Sequence, residues 1–156
     1  GFSGRDGRTT IFDYWSIDTL CRAASGNLSD DEKRLADIHS KLISIAQNEK
    51  AVSEGEFFDL MYVNPASATF NPYRQYTFLR KAGNSLLLVV ANFDDKEANV
   101  SITIPAHAFD YLNISEGSHK ATELLTGIAS PVTLCKDGSL PASVPAYGVA
   151  VYKITL

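Results

Sequence analysis

Apolar and polar positions repeat along this chain with two different periods, and the change of period divides it. From Ser29 to Glu49 the apolar residues Leu35, Ile38, Leu42 and Ile45 recur at three- and four-residue steps, while Arg34, Asp37, Lys41 and Ser44 take the other side. This spacing predicts an amphipathic helix over 29–49. Ser29 followed three residues later by Glu32 has the spacing of a capping box, and Asp30 and Asp31 put negative charge at the positive end of the helix dipole. The apolar stripe requires a partner surface. Ahead of the helix, residues 1–28 read as loop and short elements, with glycines at 1, 4 and 7 and a denser apolar patch of Ile11, Phe12, Tyr14 and Trp15.

Beyond residue 50 the period becomes two. Glu54 to Val63 starts charged and turns strand-like through Phe57, Phe58, Leu60 and Tyr62, and a loop with Pro65 and Pro72 as breakers follows to Arg74. Tyr76–Arg80 and Ser85–Phe93 read as a hairpin around Ala82-Gly83-Asn84. The run Leu86 to Val90 is too apolar for a half-exposed strand and is expected at the centre of a sheet. Val100, Ile102 and Ile104 alternate with Ser101 and Thr103, the pattern of a half-buried strand. His107 to Gly117 reads as irregular or a short helix, and His119 to Leu125 as a strand. Val132–Cys135 and Ser139–Ala142 read as a second hairpin around Asp137-Gly138, and Val149 to Thr155 as a closing strand. Strands at intervals of about eight to twelve residues with turn signals between them predict an antiparallel Greek-key β-sandwich. The fold class is therefore mainly β, with a boundary expected at residue 50: 1–50 in front, 51–156 as the sandwich.

Composition narrows the function classes. The chain has 156 residues, 45 % hydrophobic and 21 % charged, as expected of a globular protein with a core of its own. A net charge of −4 with scattered Lys and Arg lacks the basic stripe of a nucleic-acid binder and the attraction of an anionic membrane surface. No apolar run approaches the roughly 20 residues of a membrane span. The only methionine is Met61, so the chain reads as a processed product or a fragment. Cys21 and Cys135 show no metal-type spacing and are expected to act as separate small hydrophobes.

Catalytic signals are weak. A glycosidase pair needs two carboxyl groups facing one bond about 5–9.5 Å apart, which the neighbours Asp30-Asp31 and Asp94-Asp95 do not offer. His39, His107 and His119 lack ligand spacing, and no nucleophile elbow or phosphate loop appears. No catalytic residue, metal site or cofactor is expected within the chain.

Several segments resemble the α-amylase family, glycoside hydrolase family 13. Residues 1–16, above all Asp6 to Trp15, look like the segment after the last strand of that family's catalytic barrel. Lys41-Leu42-Ile43-Ser44-Ile45 is similar to its "K-L-I-x-L-R" helix signature, with Ala46 in place of the arginine. Leu88 to Phe93 resembles its "V-V-x-N-F" strand, Val100 to Pro105 the strand after it, and Leu140 to Tyr152 the closing strand. The resemblance implies that 1–50 is the last loop and last helix of a (β/α)8 barrel and 51–156 the C-terminal sandwich. It also implies that the nucleophile and acid of the retaining reaction lie upstream, so the fragment alone is not an enzyme although its parent is. The expected role is an accessory domain that stabilises the parent's barrel. The alternatives are a carbohydrate-binding module for starch or maltooligosaccharides and a non-catalytic interaction domain. The candidate binding residues are the loop-proximal aromatics Tyr73, Tyr76 and Tyr111, with Phe70 beside them, each weighed against a place in the core or its rim. Expected partners are the parent's own barrel and α-glucan, with self-association through the helix stripe when the barrel is absent. A parent that degrades polymeric starch implies a periplasmic or secreted location; one that processes oligosaccharides implies the cytoplasm.

Overall fold

The computed structural model describes residues 18–156. The apolar patch at 11–15 and the family-like segment Asp6 to Trp15 lie outside the described residues. The chain forms two compact units, Gly1–Leu42 and Ile43–Leu156, divided within a helix.

The described part of the first unit begins with α1, Asp18–Ala24, a short helix where the sequence suggested loop and short elements. It ends where Gly26 takes a left-handed φ of 72°, and Asn27 N–H donates to the Arg22 carbonyl at 2.8 Å. α2, Asp30–Asn48, falls inside the predicted 29–49. Its capping box forms as expected: Ser29 N–H donates to Glu32 Oε2 at 2.9 Å and Glu32 N–H donates to Ser29 Oγ at 3.3 Å. Glu32 also receives Thr19 Oγ1 at 3.0 Å and Arg22 Nε at 3.2 Å, which fastens α1 to the start of α2. The Arg22 hydrogen bond first, then the Ser29 N–H, hold the Glu32 carboxyl down at about 2. No residue of α2 is buried, and Leu35 on its apolar stripe is 58 % exposed.

The second unit contains α3 (Lys50–Ser53), β1 (Glu56–Asp59), a 3-10 turn (Met61–Val63), β2 (Gln75–Ala82), β3 (Ser85–Asn92), β4 (Ala98–Ile104), α4 (Ala106–Leu112), β5 (Gly117–Glu123), β6 (Ala129–Leu134), β7 (Gly138–Val144) and β8 (Gly148–Thr155). Among the described residues these strands make a six-stranded antiparallel sheet, β1-β2-β3-β8-β5-β6, and a two-stranded sheet, β4-β7. β8 returns to lie between β3 and β5, the Greek-key move expected of the sandwich. The alternating residues Leu79, Leu86, Leu88, Val90 and Ile154 of the large sheet meet Val100, Ile102, Ile104, Leu140 and Val144 of the small one in a single core. In β4 the predicted alternation holds, with Val100, Ile102 and Ile104 buried and the residues between them half-buried.

β3 occupies the centre of its sheet and is covered on both faces, as its composition requires. Leu87, which points away from the main core, is fully buried beside Arg80 and Lys153 of the adjacent strands. α3 packs on β2 and β3 there. Arg80 Nε donates to the Ala51 carbonyl and a second guanidinium nitrogen to the Gly55 carbonyl, both at 2.7 Å, and Lys153 Nζ meets Glu49 at 2.8 Å. Gly55 is required at this corner, because a Cβ would come within 2.3 Å of the Ala51 carbonyl oxygen.

The hairpin expected around Gly83 forms, with Ala82 opposite Ser85 and a left-handed Gly83 at φ 54°. The hairpin expected around Asp137-Gly138 does not. β6 pairs with β5 and β7 with β4, so the turn carries the chain from one sheet to the other. Period-two burial sets which face a strand hides but not which neighbour it bonds, and β6 and β7 hide Leu134 and Leu140 in the same core from opposite sides. Asp137, at φ 59°, accepts the Ala106 N–H at 2.9 Å and fastens this crossing to the start of α4. Both cysteines lie at the surface rather than in the core.

Candidate functional site

β1 is a short strand at the margin of the large sheet, so its successive phenylalanines point to opposite faces. Phe58, opposite Leu79, turns into the sandwich; Phe57, opposite Arg80, turns out. After Asp59 the chain leaves the strand. Asp59 Oδ1 accepts the Met61 N–H at 2.9 Å, the local hydrogen bond of an Asx turn, and the 3-10 turn carries Tyr62 outward. Buried Asn64 holds this turn in place. It donates to the carbonyls of Leu60 at 2.8 Å and Thr103 at 3.1 Å and accepts Thr103 N–H at 2.8 Å.

α4 packs Ala108, Phe109 and Leu112 into the core, which leaves His107 and Tyr111 side by side at i and i+4. Both stand over Phe58, with ring centroids at 5.4 Å for His107 and 5.8 Å for Tyr111. Tyr62 lies 6.2 Å from Phe58. Together with Phe57 and Asp59 these residues line an open hollow of about 520 Å³. The rings are not coplanar: Phe58 makes angles of 53° with Tyr62, 47° with Tyr111 and 77° with His107. The rings therefore do not form one flat platform, and Phe58 is the buried member of the set. Tyr111 OH donates to Glu56 Oε2 at 3.2 Å, and this bond pushes the phenol above its ordinary range.

The three tyrosines singled out from the sequence do not gather. Tyr111 lies in the hollow. Tyr76 is on the outer face of the large sheet, its ring 5.8 Å from Phe78, which in turn lies 5.5 Å from Phe57. Tyr73 projects from the loop before β2 and is 90 % exposed. Phe70 is buried in the sandwich core. The strand-like pattern within Glu54 to Val63 does not reveal Tyr62 and Phe58 as partners of Tyr111, because the strand stops at Asp59 and a 3-10 turn follows. Asp59 ahead of Met61 was the signal for the turn.

The other titratable candidates have local partners. His39 bonds the Leu35 carbonyl on its own helix at 2.9 Å, and His119 bridges the carbonyls of Ser115 at 3.0 Å and Thr155 at 3.2 Å. Asp94 belongs to the β3–β4 turn, where a hydrogen bond from Asp95 lowers its pKa. Among the described residues no three His, Cys, Asp or Glu side chains converge as a metal site would require. No described helix is long and apolar enough to cross a membrane.

Comparison with protein-family models and with curated protein sequences finds no match. Solved structures do match. AmyP in complex with maltose superposes over 81 % of this chain with a TM-score of 0.56 at 17 % identity. An α-amylase from Anoxybacillus covers 79 % at 0.52 and 18 %. α-Galactosidase I from Mortierella vinacea covers 82 % at 0.52 and 18 %. The chain spans only 22 %, 23 % and 29 % of those proteins' lengths. In the amylases the matched stretch is the C-terminal part, so the sequence resemblance is met at the level of fold: this chain has the architecture of the C-terminal region of α-amylase-family glycoside hydrolases.

Proposed function

We propose that the chain is the C-terminal accessory portion of an α-amylase-type glycoside hydrolase acting on α-glucans, and that its sandwich braces the catalytic barrel of that enzyme. In this reading residues 1–50 are the end of the barrel and 51–156 the accessory domain. The observation that carries it is α2, an amphipathic helix with no buried residue on which Leu35 and Ile38 are exposed, in a chain that otherwise has the fold of an amylase C-terminal region. A stripe of Leu35, Ile38, Leu42 and Ile45 is what the inner side of an outer barrel helix presents to the strands it covers. On the outer face of the large sheet Phe57, Tyr76 and Phe78 form a contiguous aromatic strip with Phe57 and Tyr76 exposed.

The test is deletion in the longer protein. An enzyme truncated before residue 51 is expected to melt several degrees lower and to lose α-glucan hydrolase or transferase activity on warming. A truncated enzyme as stable and as active as the full-length one would remove the bracing role.

A further inference from the structure

We infer that the hollow between β1, the 3-10 turn and α4 is a binding site for a neutral α-linked oligosaccharide, with Phe58, Tyr62, His107 and Tyr111 as its aromatic walls and Glu56 and Asp59 as hydroxyl acceptors. The choice of α-glucan rests on the hydrolase reading above; the choice of a neutral polyol rests on the hollow itself. A pyranose has apolar C–H faces and a polar edge of hydroxyl groups. The hollow matches both parts. Tyr62 and Tyr111, at 61 % and 54 % exposed, offer ring surface beside the buried Phe58. The bond from Tyr111 OH to Glu56 orients that ring in advance, so little rotamer freedom is left to lose on binding.

The polar rim selects against other occupants. Glu56 uses one oxygen for Tyr111, and Asp59 uses Oδ1 for the Met61 N–H, so each carboxylate keeps acceptor capacity beside the rings. A protein surface that covered the hollow would strip water from two carboxylates, which is costly without new donors. Sugar hydroxyls are such donors. An anionic ligand would meet like charge from both acids.

The probe is maltoheptaose titrated into the full chain, followed by NMR on the His107 and tyrosine ring signals and by calorimetry, with cellohexaose as the flat-ribbon comparison. Saturable shifts at His107 and Tyr111, and an affinity for cellohexaose at least about tenfold weaker, are expected. Tyr62→Ala and Tyr111→Ala should each weaken maltoheptaose by about tenfold or more, the loss typical of an aromatic anchor. Tyr73→Ala, outside the hollow, should leave it unchanged. Because the ring shifts are read on the unaltered chain, a variant that fails to fold cannot hide the answer. Absence of shifts at millimolar maltoheptaose, shifts confined to residues outside the hollow, or equal affinity for both sugars would overturn the site. Loss of this site together with destabilisation on truncation would leave the bracing role standing.

Discussion

At the scale of single residues, buried amides hold the sandwich's corners. Asn92, at the end of β3, donates to the carbonyls of Lys96 at 2.8 Å and Pro145 at 3.0 Å, and accepts Asp94 N–H and Gln75 Nε2 at 3.1 Å each. It joins β2, the β3–β4 turn and the turn before β8 at one buried point. Asn92→Ala would orphan several buried groups at once and is expected to cost about 2–4 kcal/mol, read from the midpoint of urea unfolding. Asn92→Asp should also destabilise, since a carboxylate cannot donate to the two carbonyls. Asn92 stands in the stretch that resembles "V-V-x-N-F", so its presence was legible, but its four partners were not. Asn64 is the sharper case. In sequence it is one polar residue opening a loop, and only the return of β4 beside the 3-10 turn supplies Thr103 as its partner.

At the scale of elements, α2 shows how far local chemistry reaches. Ser29→Ala should destabilise the helix start by about 1 kcal/mol, seen as weaker amide protection in the first turn of α2. Glu32 adds a pH dependence whose sign follows from its depressed pKa. A carboxyl at about 2 in the folded chain, against roughly 4.3 when unfolded, stabilises α2 above the unfolded value. That contribution fades as pH falls from about 4 towards 2. Acid titration of the helix signal should therefore show a loss in that window which Glu32→Gln lacks, because the variant has given up the interaction at every pH. A flat difference between the two proteins across the window would refute the Arg22–Glu32 link. The cap was readable because all its parts lie within four residues. The link to Arg22 and Thr19 was not, because those residues lie 10 and 13 positions away and meet Glu32 only once α1 folds back on α2.

At the scale of the whole chain, the exposed apolar side chains Leu35, Ile38 and Ile43 of α2 are the main consequence of the sequence. Full burial of the exposed Leu35 and Ile38 side chains of α2 is worth about 1.5–3 kcal/mol each, which favours association. The isolated chain is expected to associate with itself as concentration rises, by sedimentation velocity. Leu35→Glu with Ile38→Glu should return it to monomer while the sandwich keeps its melting temperature. A monomer at all concentrations would mean that the stripe stays solvated. Under the proposed bracing role, a longer protein carrying both substitutions should lose stability through the same surface.

What the sequence determined by itself was everything carried by short-range periodicity and capping. The helix over 30–48, the alternation of β4, the central place of β3 and the sandwich class follow from which residues must be hidden and how often the chain turns. Strand partnership belonged to the tertiary structure, because burial on one face is satisfied equally well by either sheet; β6 and β7 look like a hairpin locally and are separated by the core. The aromatic hollow belonged there too. Phe58, Tyr62, His107 and Tyr111 lie on three elements, and a ring in sequence does not reveal whether it faces the core, solvent or another ring. That is decided only when β1, its turn and α4 close on one another, which sends Phe70 inside and leaves Tyr62 and Tyr111 exposed.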